Sequence, residues 1–526
     1  MHDVEIVLWL LVAQLVLGTL AQRISIPYPI ILVFGGILIG VLDVFPHIEL
    51  EPDIVFLLFL PPALFIAAAG SDWRGFRRDI RPIAALAVNL VLTTTFGVAA
   101  VAVAVISGLD WSTAFVIGAI VSPPDAVATI SIVRSLPVPR RVVNILEGES
   151  LINDATALVA YRFAVAAVVS GSFSIVDAGL EFIWVVLGGL AVGTIIAIAA
   201  TKFIEIFVDE TSIIMTVTLL LPIAAYLPAE ELECSGVLAA VAAGLVFSRF
   251  SMRLSVSARL QIGVIARFVS WLIDGLVFVL IGLQLPSIVD GLGARSWGTR
   301  IWYAAAVGLA VVAIRLLWVR LAFEDRRPRG ARPIGRMSLG LNKPERLVIG
   351  WAGPRGVVTL ATALALPFQT NAGTPFPERD LIIFLAFGVI IITLVGQGLT
   401  LPMLIRRLNF ADDTSEEEER RLARRESAKA ALAKIDEYVE EDWITGEVAE
   451  SLRAPYRRMF ELDGTPSDER DLDEAQPGQH MRQLFGEIVG VQRETVRNLN
   501  MQGEISDSIR RDFENMLDLQ ESVRVR

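Results

Sequence analysis

Long apolar segments alternate with short polar ones along the first 405 residues of the chain. A helix needs roughly 17 to 25 predominantly apolar residues to cross a bilayer, and this criterion predicts thirteen transmembrane segments. They lie at residues 4–22, 28–42, 53–70, 82–107, 111–133, 146–169, 178–203, 212–228, 233–248, 263–285, 301–321, 345–370 and 380–404. Segments two, three, eight and nine are short, so hydropathy alone is also compatible with twelve or fourteen.

The charge of the connecting loops favours thirteen segments and predicts their direction. If the N-terminus lies outside, the odd-numbered loops face the cytoplasm and contain twenty Lys and Arg residues, against Arg295, Arg300 and Arg379 in the even-numbered loops. Cytoplasmic loops of membrane proteins carry such an excess of basic residues. We therefore expect a multi-pass protein of the plasma (inner) membrane, embedded in the lipid bilayer, with the N-terminus outside and the C-terminus in the cytoplasm.

The composition changes abruptly near residue 406. Residues 406–526 contain 19 of the 46 basic and 29 of the 57 acidic residues, so almost all of the net charge of −11 belongs to this part. We expect a transmembrane domain at 1–405 and a soluble, mainly helical cytoplasmic tail at 406–526. The acidity argues against a nucleic-acid partner. Composition favours a solvated helical appendage over a ligand-sensing regulatory domain for the tail.

Segments five and twelve each contain a sequence that breaks a helix beside a charged residue. Segment five reads SPPDAVA at 122–128 with Asp125 after two prolines, and segment twelve reads GPRG at 353–356 around Arg355. Proline disrupts the helix, and broken backbone in a membrane survives only where it is buried or lines a cavity. The offset of seven helices predicts an inverted-repeat transporter, with segments one to six and eight to thirteen as halves. The alternative is two ordinary proline kinks.

Segment six carries the densest group of polar residues. Glu149, Ser150, Asn153 and Asp154 fall within an arc of about 140° on one face of a helix. Carboxylate, amide and hydroxyl oxygens suit a hard monovalent cation. The alternative is a polar seam satisfied by neighbouring helices, but two buried carboxylates are costly unless a group such as Arg355 neutralises one of them. Asp274 in segment ten is a further site candidate, and Arg315 and Arg162 are intramembrane charges with no role assigned by the sequence.

Several absences narrow the chemistry. The sequence has no phosphate-binding Gly-x-x-x-x-Gly-Lys-Ser/Thr loop, so nothing indicates ATP-driven pumping or an enzyme. The single cysteine, Cys234, and three histidines outside the predicted spans provide no transition-metal site, and we expect no cofactor.

Five sequence segments resemble the monovalent cation:proton antiporter family, which includes bacterial NhaP-type and animal NHE-type sodium/proton exchangers. They are LPPALF at 60–65, SPPDAVA at 122–128, EGESLINDATALV at 147–159, FVLIGLQL at 278–285 and GPRGVVTLA at 353–361. The resemblance covers residues 1–405 and also includes the tail element GEISDSIRRDFENMLDL at 503–519. It implies an all-α polytopic fold of the NhaA-like antiporter type, with about thirteen helices and two inverted repeats with crossed broken helices.

The resemblance also implies roles for individual residues. Asp154 matches the essential carboxylate that binds the cation and the proton in turn, and Asn153 is its preceding partner. Ser150 matches a side-chain ligand of the cation. The position before Asp125 contributes a main-chain carbonyl in the family, and here that position is Pro124.

Other matched positions support the site. The resemblance implies that Glu149 and Arg355 form an ion pair that holds Asn153, and that Asp125 and Arg355 lie by the crossing of the broken helices. Two positions depart from the family pattern: Ile66 stands where a carboxylate usually follows LPPALF, and Arg267 stands where many bacterial members have an acidic residue. The protein would then either do without the carboxylate missing at Ile66 or use Asp72 or Asp274 in its place.

Together these features predict a secondary antiporter that exchanges Na⁺, and potentially Li⁺ or K⁺, for H⁺ by alternating access. Because position 153 is Asn and not a second Asp, we expect one proton per cation and electroneutral exchange. A K⁺/H⁺ antiporter is the nearest alternative, and a membrane receptor that signals through its tail is an alternative from another class. The resemblance implies a homodimer.

Overall fold

The computed structural model describes residues 2–24, 26–42, 55–134, 136–171, 175–208, 210–290, 296–323, 341–408, 410, 414–461 and 479–525. Within these ranges the regular elements are helices, with one isolated antiparallel bridge between Gln369 and Pro375. The chain forms two compact units. The membrane unit comprises 1–71, 76–252 and 264–410, and the tail unit comprises 72–75, 253–263 and 411–526.

The helices of the membrane unit follow the order of the predicted apolar segments and are numbered to match. They are α1 (His2–Arg23), α2 (Tyr28–Val41), α3 (Leu60–Gly70, after a π-helical turn Val55–Phe59), α4 (Ile80–Val105), α5a (Trp111–Val121), α5b (Ala126–Val133), α6 (Arg140–Ser170), α7 (Ile175–Phe207), α8 (Thr211–Glu231), α9 (Gly236–Phe250), α10 (Val256–Leu283), α11 (Trp297–Ala322), α12a (Lys343–Trp351), α12b (Val357–Leu364) and α13 (Arg379–Leu408). Short helices Trp73–Arg78 and Leu285–Asp290 lie in the connections.

The predicted segments are found as helices or, for segments five and twelve, as pairs of helices separated by a break. Seven helices of the described residues are long and apolar enough to cross a membrane, and five more are shorter apolar helices. Helix α6 begins at Arg140 and α10 at Val256, earlier than the apolar pattern predicted, because both helices continue through polar residues. Arg295, the loop arginines within 324–340 and residues 53 and 54 lie outside the described residues.

Close backbone contact joins α2 to α10. A Cβ atom added at Gly36 would overlap the carbonyl oxygen of Val279, and one added at Gly282 would overlap the carbonyl oxygen of Val33. Glycine is therefore required at both positions, because any side chain would force the two helices apart. This contact places the FVLIGLQL segment of α10 firmly against α2.

The helices with polar breaks lie at the centre of the membrane unit. Helix α5a packs against α4, α6, α12b and α13, and α6 also packs against α5b and α12a. The main apolar core draws its buried side chains from α2, α4, α5a, α10, α11, α12b and α13. Apolar packing surrounds them on several sides, so the polar residues of α5, α6 and α12 are held in a closely packed interior.

The tail unit contains a bundle of four further helices. They are α14 (Thr414–Glu440), α15 (Gly446–Glu461), α16 (Gln479–Gln502) and α17 (Asp507–Val525). Their apolar faces pack into two small cores, one around Ile435 and Ile488 and the other around Val496 and Ile509. The tail is therefore packed through apolar side chains, as a folded helical appendage requires.

The tail unit also contains a fully buried carboxylate with two arginine partners. Asp518 of α17 is 0% exposed and accepts hydrogen bonds from Arg493 of α16 at 2.7 Å and from Arg259 at 2.9 and 2.5 Å. Arg259 belongs to 253–263, the segment that begins α10 and is part of this unit. The two arginines compensate a charge that would otherwise be costly to bury.

Candidate functional site

The break in helix five leaves backbone groups without helical partners. Helix α5a ends at Val121, α5b begins at Ala126, and the four residues between them include Pro123 and Pro124. Prolines supply no N–H donor, and the last carbonyls of a helix have no intrahelical donor. The carbonyl oxygens near Val121 therefore need other donors in this buried region.

The break in helix twelve supplies those donors. Helix α12a ends at Trp351, α12b begins at Val357, and the intervening residues, including Arg355, are buried. The Arg355 guanidinium donates from Nε to the Val121 carbonyl at 2.8 Å and from a terminal nitrogen to the Ser122 carbonyl at 3.1 Å. It also donates to the carbonyl of Gly353. A cation is thus placed at the negative C-terminal end of α5a.

Backbone contacts also join the two breaks directly. The N–H of Asp125 donates to the carbonyl of Pro354 at 2.7 Å, and the N–H of Arg355 donates to the Thr393 hydroxyl of α13 at 2.9 Å. These bonds bring the breaks of helices five and twelve together, as the sequence predicted. Thr393 was not anticipated, because an isolated threonine in an apolar helix carries no sequence signal.

The Asp125 carboxylate lies against the beginning of α12b. A Cβ atom added at Gly356 would overlap Oδ2 of Asp125, so glycine leaves the room that the carboxylate occupies. Gly356 is the residue that precedes the first turn of α12b, where the helix dipole is positive. At the crossing, the Asp125 carboxylate therefore lies at the start of α12b, and the Arg355 guanidinium lies at the end of α5a.

Helix α6 presents its polar face to this crossing. The side chains of Glu149, Ser150, Asn153 and Asp154 are all buried, with 2%, 7%, 0% and 6% exposure. The Asn153 amide nitrogen donates to the carbonyl of Pro124 at 3.0 Å, which ties α6 to the break in helix five. Within the part of the chain that the structure describes, the Asn153 amide oxygen has no hydrogen-bond partner.

The ion pair that the resemblance implied is formed by a different arginine. Glu149 does not pair with Arg355; it pairs with Arg315 of α11, whose two terminal nitrogens lie 2.6 and 2.8 Å from the carboxylate oxygens. Arg315 and Glu149 are 1% and 2% exposed. The predicted Glu149–Arg355 pair is therefore wrong. Arg315 of α11 binds both carboxylate oxygens of Glu149, and the Arg355 guanidinium instead donates to the main-chain carbonyls at the end of α5a. Likewise, Asn153 is held by Pro124 and not by that pair.

The remaining candidates lie on α10 and α3. Asp274 is half-buried on α10, close enough to Asp125 for their charges to interact, and Asp125 likewise interacts with Asp154. Arg267, seven residues before Asp274, is exposed and does not belong to the buried cluster. Ile66 of α3 is half-buried. Asp274 is thus a carboxylate of α10 that interacts electrostatically with the crossing through Asp125.

The polar groups of the assembled site are mainly oxygen atoms, together with the guanidinium groups of two buried arginines. Carboxylates, a hydroxyl, an amide oxygen and main-chain carbonyls surround the junction of α5, α6 and α12, and the arginines are engaged by Glu149 and by carbonyl groups. Oxygen atoms of this kind bind hard cations. The arrangement can hold a small cation or a proton in a dry environment.

A family model and individual relatives that match this chain are all sodium/proton exchangers or antiporters by name. The sequence profile of the family described as "sodium/hydrogen exchanger, transmembrane" matches residues 10–407. An uncharacterised Na⁺/H⁺ exchanger of Mycobacterium bovis is 33% identical over 528 residues, which cover 98% of this chain and 95% of the relative. A sodium, potassium, lithium and rubidium/H⁺ antiporter of Bacillus pumilus is 33% identical over 450 residues, which cover 82% of this chain and 65% of the relative.

Among solved structures, the sodium proton antiporter MjNhaP1 from Methanocaldococcus jannaschii at pH 8 has a similar fold. The TM-score is 0.61 at 20% sequence identity, and the match covers 78% of this chain and 100% of the other. This likeness confirms the predicted all-α fold with crossed broken helices.

Proposed function

The chain belongs to the transmembrane sodium/hydrogen exchanger family, and on this premise we propose that Na⁺ and H⁺ compete for the buried carboxylate of Asp154. Family membership makes the protein a membrane transporter that exchanges a monovalent cation for H⁺, and not an enzyme. A receptor that signals through its tail has no support from this family. The proposal concerns the residue that carries the exchange, its stoichiometry and its preferred cation.

The burial of Asp154 is the observation that carries the proposal. Its side chain is 6% exposed beside the crossing, and no ion pair to it is found among the described residues. A bare carboxylate in such a place has a large desolvation cost. A bound cation or a bound proton removes that cost, so both loaded forms can move the site across the barrier while the empty form is held back. Exchange by alternating access follows, because only loaded forms return.

The neighbouring oxygens suit the cation-bound form. The Ser150 hydroxyl and the Pro124 carbonyl complete a set of oxygen ligands with Asp154, and the unpartnered amide oxygen of Asn153 is a further one. The Pro124 carbonyl accepts one bond from Asn153 and keeps a second lone pair for a cation. Asp125, Glu149 and Arg355 support the site without binding the cation themselves, and Asp274 is a further carboxylate near it.

The stoichiometry follows from the residue beside Asp154. Asn153 is an amide and carries no titratable proton, so one carboxylate binds one cation or one proton. We therefore propose electroneutral 1:1 exchange. At a fixed pH gradient, the transport rate in proteoliposomes is expected to be independent of an imposed membrane voltage. A strong dependence on voltage would show that more than one charge moves per cycle.

Na⁺ is the proposed main substrate, and K⁺/H⁺ exchange is the second candidate. The name of the Bacillus pumilus relative includes sodium, potassium, lithium and rubidium, which makes a broad cation range the natural alternative. Oxygen ligands alone do not discriminate between alkali cations. We place the exchanger in the plasma (inner) membrane as a homodimer, with the N-terminus outside and the tail in the cytoplasm.

The decisive experiment measures cation-driven proton movement in proteoliposomes that contain a pH-sensitive dye. Na⁺, Li⁺, K⁺ and Rb⁺ are compared across pH for the wild type and for Asp154→Asn. The variant is expected to lose exchange with every cation while it remains folded in the membrane, because an amide has no titratable proton to exchange and no negative charge for the cation to neutralise.

The matched control is Asp380→Asn, the same substitution at a side chain of α13 that is 59% exposed. This variant is expected to transport like the wild type. Retained cation-driven dye response in Asp154→Asn would overturn the assignment of the exchange site.

A further inference from the structure

Helix α13 carries a buried primary amide, Gln397, that the proposed exchange site does not use. Its side chain is 2% exposed, and neither the amide oxygen nor the amide nitrogen has a hydrogen-bond partner among the described residues. A primary amide can donate two hydrogen bonds and accept two. Buried polar groups are rarely left without partners, and one that has none in the protein indicates a small bound ligand such as water.

Gln397 lies on the face of α13 that contacts the break in helix twelve. Thr393, Gln397 and Thr400 are spaced by four and three residues and fall within an arc of about 60°. The Thr393 hydroxyl accepts a hydrogen bond from the N–H of Arg355 at 2.9 Å. The Thr400 hydroxyl accepts one from the indole nitrogen of Trp351, the last residue of α12a, at 2.8 Å. Gln397 therefore lies between two hydrogen bonds that join α13 to helix twelve.

The end of α12a also has a main-chain acceptor for such a ligand. In a continuous helix the Gly350 carbonyl would accept from the N–H of residue 354, but Pro354 has no N–H. Gly350 is buried, and α12a packs against α13. A water molecule held by the Gln397 amide would thus have an acceptor in helix twelve.

We propose that Gln397 is a positioning residue for cation exchange, whose amide holds a water molecule that links α13 to the break in helix twelve. This inference rests on the proposed function of Asp154 and adds a residue that contacts neither the cation nor the proton. Gln397 acts through Arg355, which donates to the carbonyls at the end of α5a and so holds the crossing together. Because Pro124 lies in the break of helix five and its carbonyl is a proposed ligand, a shift at the crossing changes the affinity for the cation.

The amide of Gln397, and not the volume it fills, is expected to matter. Gln397→Met keeps the length of the side chain but removes the polar group, and the apparent KM for Na⁺ is expected to rise about 3- to 10-fold, as the loss of one neutral hydrogen bond would cause. Gln397→Asn keeps the amide and leaves room for the water, so KM is expected to stay within about twofold of the wild type. A residue that only fills space would give the opposite order, because Met matches the volume of Gln and Asn leaves a cavity.

A double variant tests whether Gln397 acts through the break in helix twelve. Thr393→Val removes the hydroxyl that accepts from the Arg355 N–H, and KM is expected to rise in this variant as well. In Gln397→Met/Thr393→Val the rise is expected to differ at least about twofold from the product of the two single rises, since both residues hold the same segment. A rise equal to that product would show that Gln397 acts elsewhere and would overturn the proposal.

The measurements use the full chain in proteoliposomes, with Na⁺-driven proton movement recorded at a fixed pH. The apparent KM is independent of how much protein is folded, so a loss of folded protein lowers only the maximal rate. Gln22→Met is the matched control, because Gln22 is an exposed glutamine near the end of α1, and it is expected to leave KM unchanged. If Gln397→Met is not recovered as folded protein, Gln397→Leu takes its place with the same expectation.

The outcomes separate this proposal from the proposed function. A wild-type KM in Gln397→Met would overturn the role of Gln397, and so would a KM that is higher in Gln397→Asn than in Gln397→Met. Neither result would affect the assignment of Asp154. Exchange by Asp154→Asn would contradict the proposed function itself, whatever the Gln397 variants do.

Discussion

A buried ion pair of the membrane unit and an exposed ion pair of the tail unit show two different uses of charge. The ion pair of Glu149 and Arg315 in the membrane unit is 2% and 1% exposed, whereas Arg421 and Glu417 of the tail, 3.5 Å apart, are 53% and 67% exposed. Residues 1–405 carry a net charge of only −1, against −10 for residues 406–526. Exposed pairs contribute about 0 to 1 kcal/mol, while breaking a buried pair costs roughly 3 to 5 kcal/mol. Location, more than number, therefore decides what a charge does here.

The largest effect on transport is expected where a buried charge meets the backbone of the crossing. Gly356→Ala would place a methyl group on the Asp125 carboxylate. Either the carboxylate or the start of α12b must move, and a misplacement of about 1 Å near a reacting centre costs on the order of 100-fold in rate. We expect kcat/KM for cation exchange to fall about 10- to 100-fold, measured in proteoliposomes at matched protein amounts.

The control for this substitution is Gly396→Ala in α13, where an added Cβ meets no atom within 4 Å. That variant should transport normally. Wild-type transport by Gly356→Ala would mean that the Asp125 carboxylate can move without affecting exchange. The position of a buried charge would then matter no more than that of an exposed charge.

Sequence reasoning identified the breaks and the polar face of α6 because both are local properties. Pro123, Pro124 and Pro354 act on the backbone of their own helices, and the spacing of Glu149 and Asp154 fixes their relative direction on any helix. The apolar segments are likewise defined by the bilayer, so the helices were found in the predicted order with their ends shifted by several residues. These features depend on neighbours in the sequence and not on the packing of distant helices.

The partner of Glu149 was beyond this kind of reasoning. Arg315 and Arg355 are both intramembrane arginines, and the choice between them depends on which helix passes Glu149 and on which carbonyls need a donor. The depth of Arg315 in segment eleven was a signal that it needed a buried partner. The assignment of 72–75 and 253–263 to the tail unit also depends on tertiary contacts, which no local pattern reports.

The largest effect on stability is expected from a buried carboxylate of the tail unit. Asp518→Ala leaves Arg493 and Arg259 without their shared carboxylate, and both arginines are less than one-fifth exposed. We expect the local free energy of opening to fall by about 3 to 5 kcal/mol, measured by hydrogen exchange of peptides from α16 and α17 in the full chain. Cation transport is not the readout of this experiment.

The same measurement on Arg421→Ala provides the comparison. Its pair with Glu417 is exposed, so the free energy of opening should change by no more than about 0.5 kcal/mol. If Asp518→Ala and Arg421→Ala lowered the free energy of opening equally, burial would not determine how much a charged side chain contributes to the stability of the tail.

The smallest effect concerns the pH dependence of the tail through Tyr438 and Glu487, which are hydrogen-bonded to each other. Burial, followed by the hydrogen bond and the negative charge of Glu487, raises the pKa of the Tyr438 hydroxyl above its usual value. The hydrogen bond from Tyr438 is the main cause that lowers the pKa of the Glu487 carboxyl. Tyr438 therefore stabilises the folded tail fully below a pH of about 10, and this contribution is lost as the pH rises through the raised pKa.

The Glu487 contribution has the opposite sign. It is present above the ordinary glutamate pKa of about 4.3 and is lost as the pH falls through the lowered pKa of the folded state. Hydrogen exchange of α14 and α16, corrected for its intrinsic pH dependence, should show constant protection between these limits and a decline beyond both. Tyr438→Phe should flatten the alkaline decline and weaken the acidic one, because it removes the hydroxyl that titrates and the donor that stabilises the carboxylate. An unchanged pH profile in that variant would show that the hydrogen bond between buried Tyr438 and exposed Glu487 contributes no pH dependence to the stability of the tail.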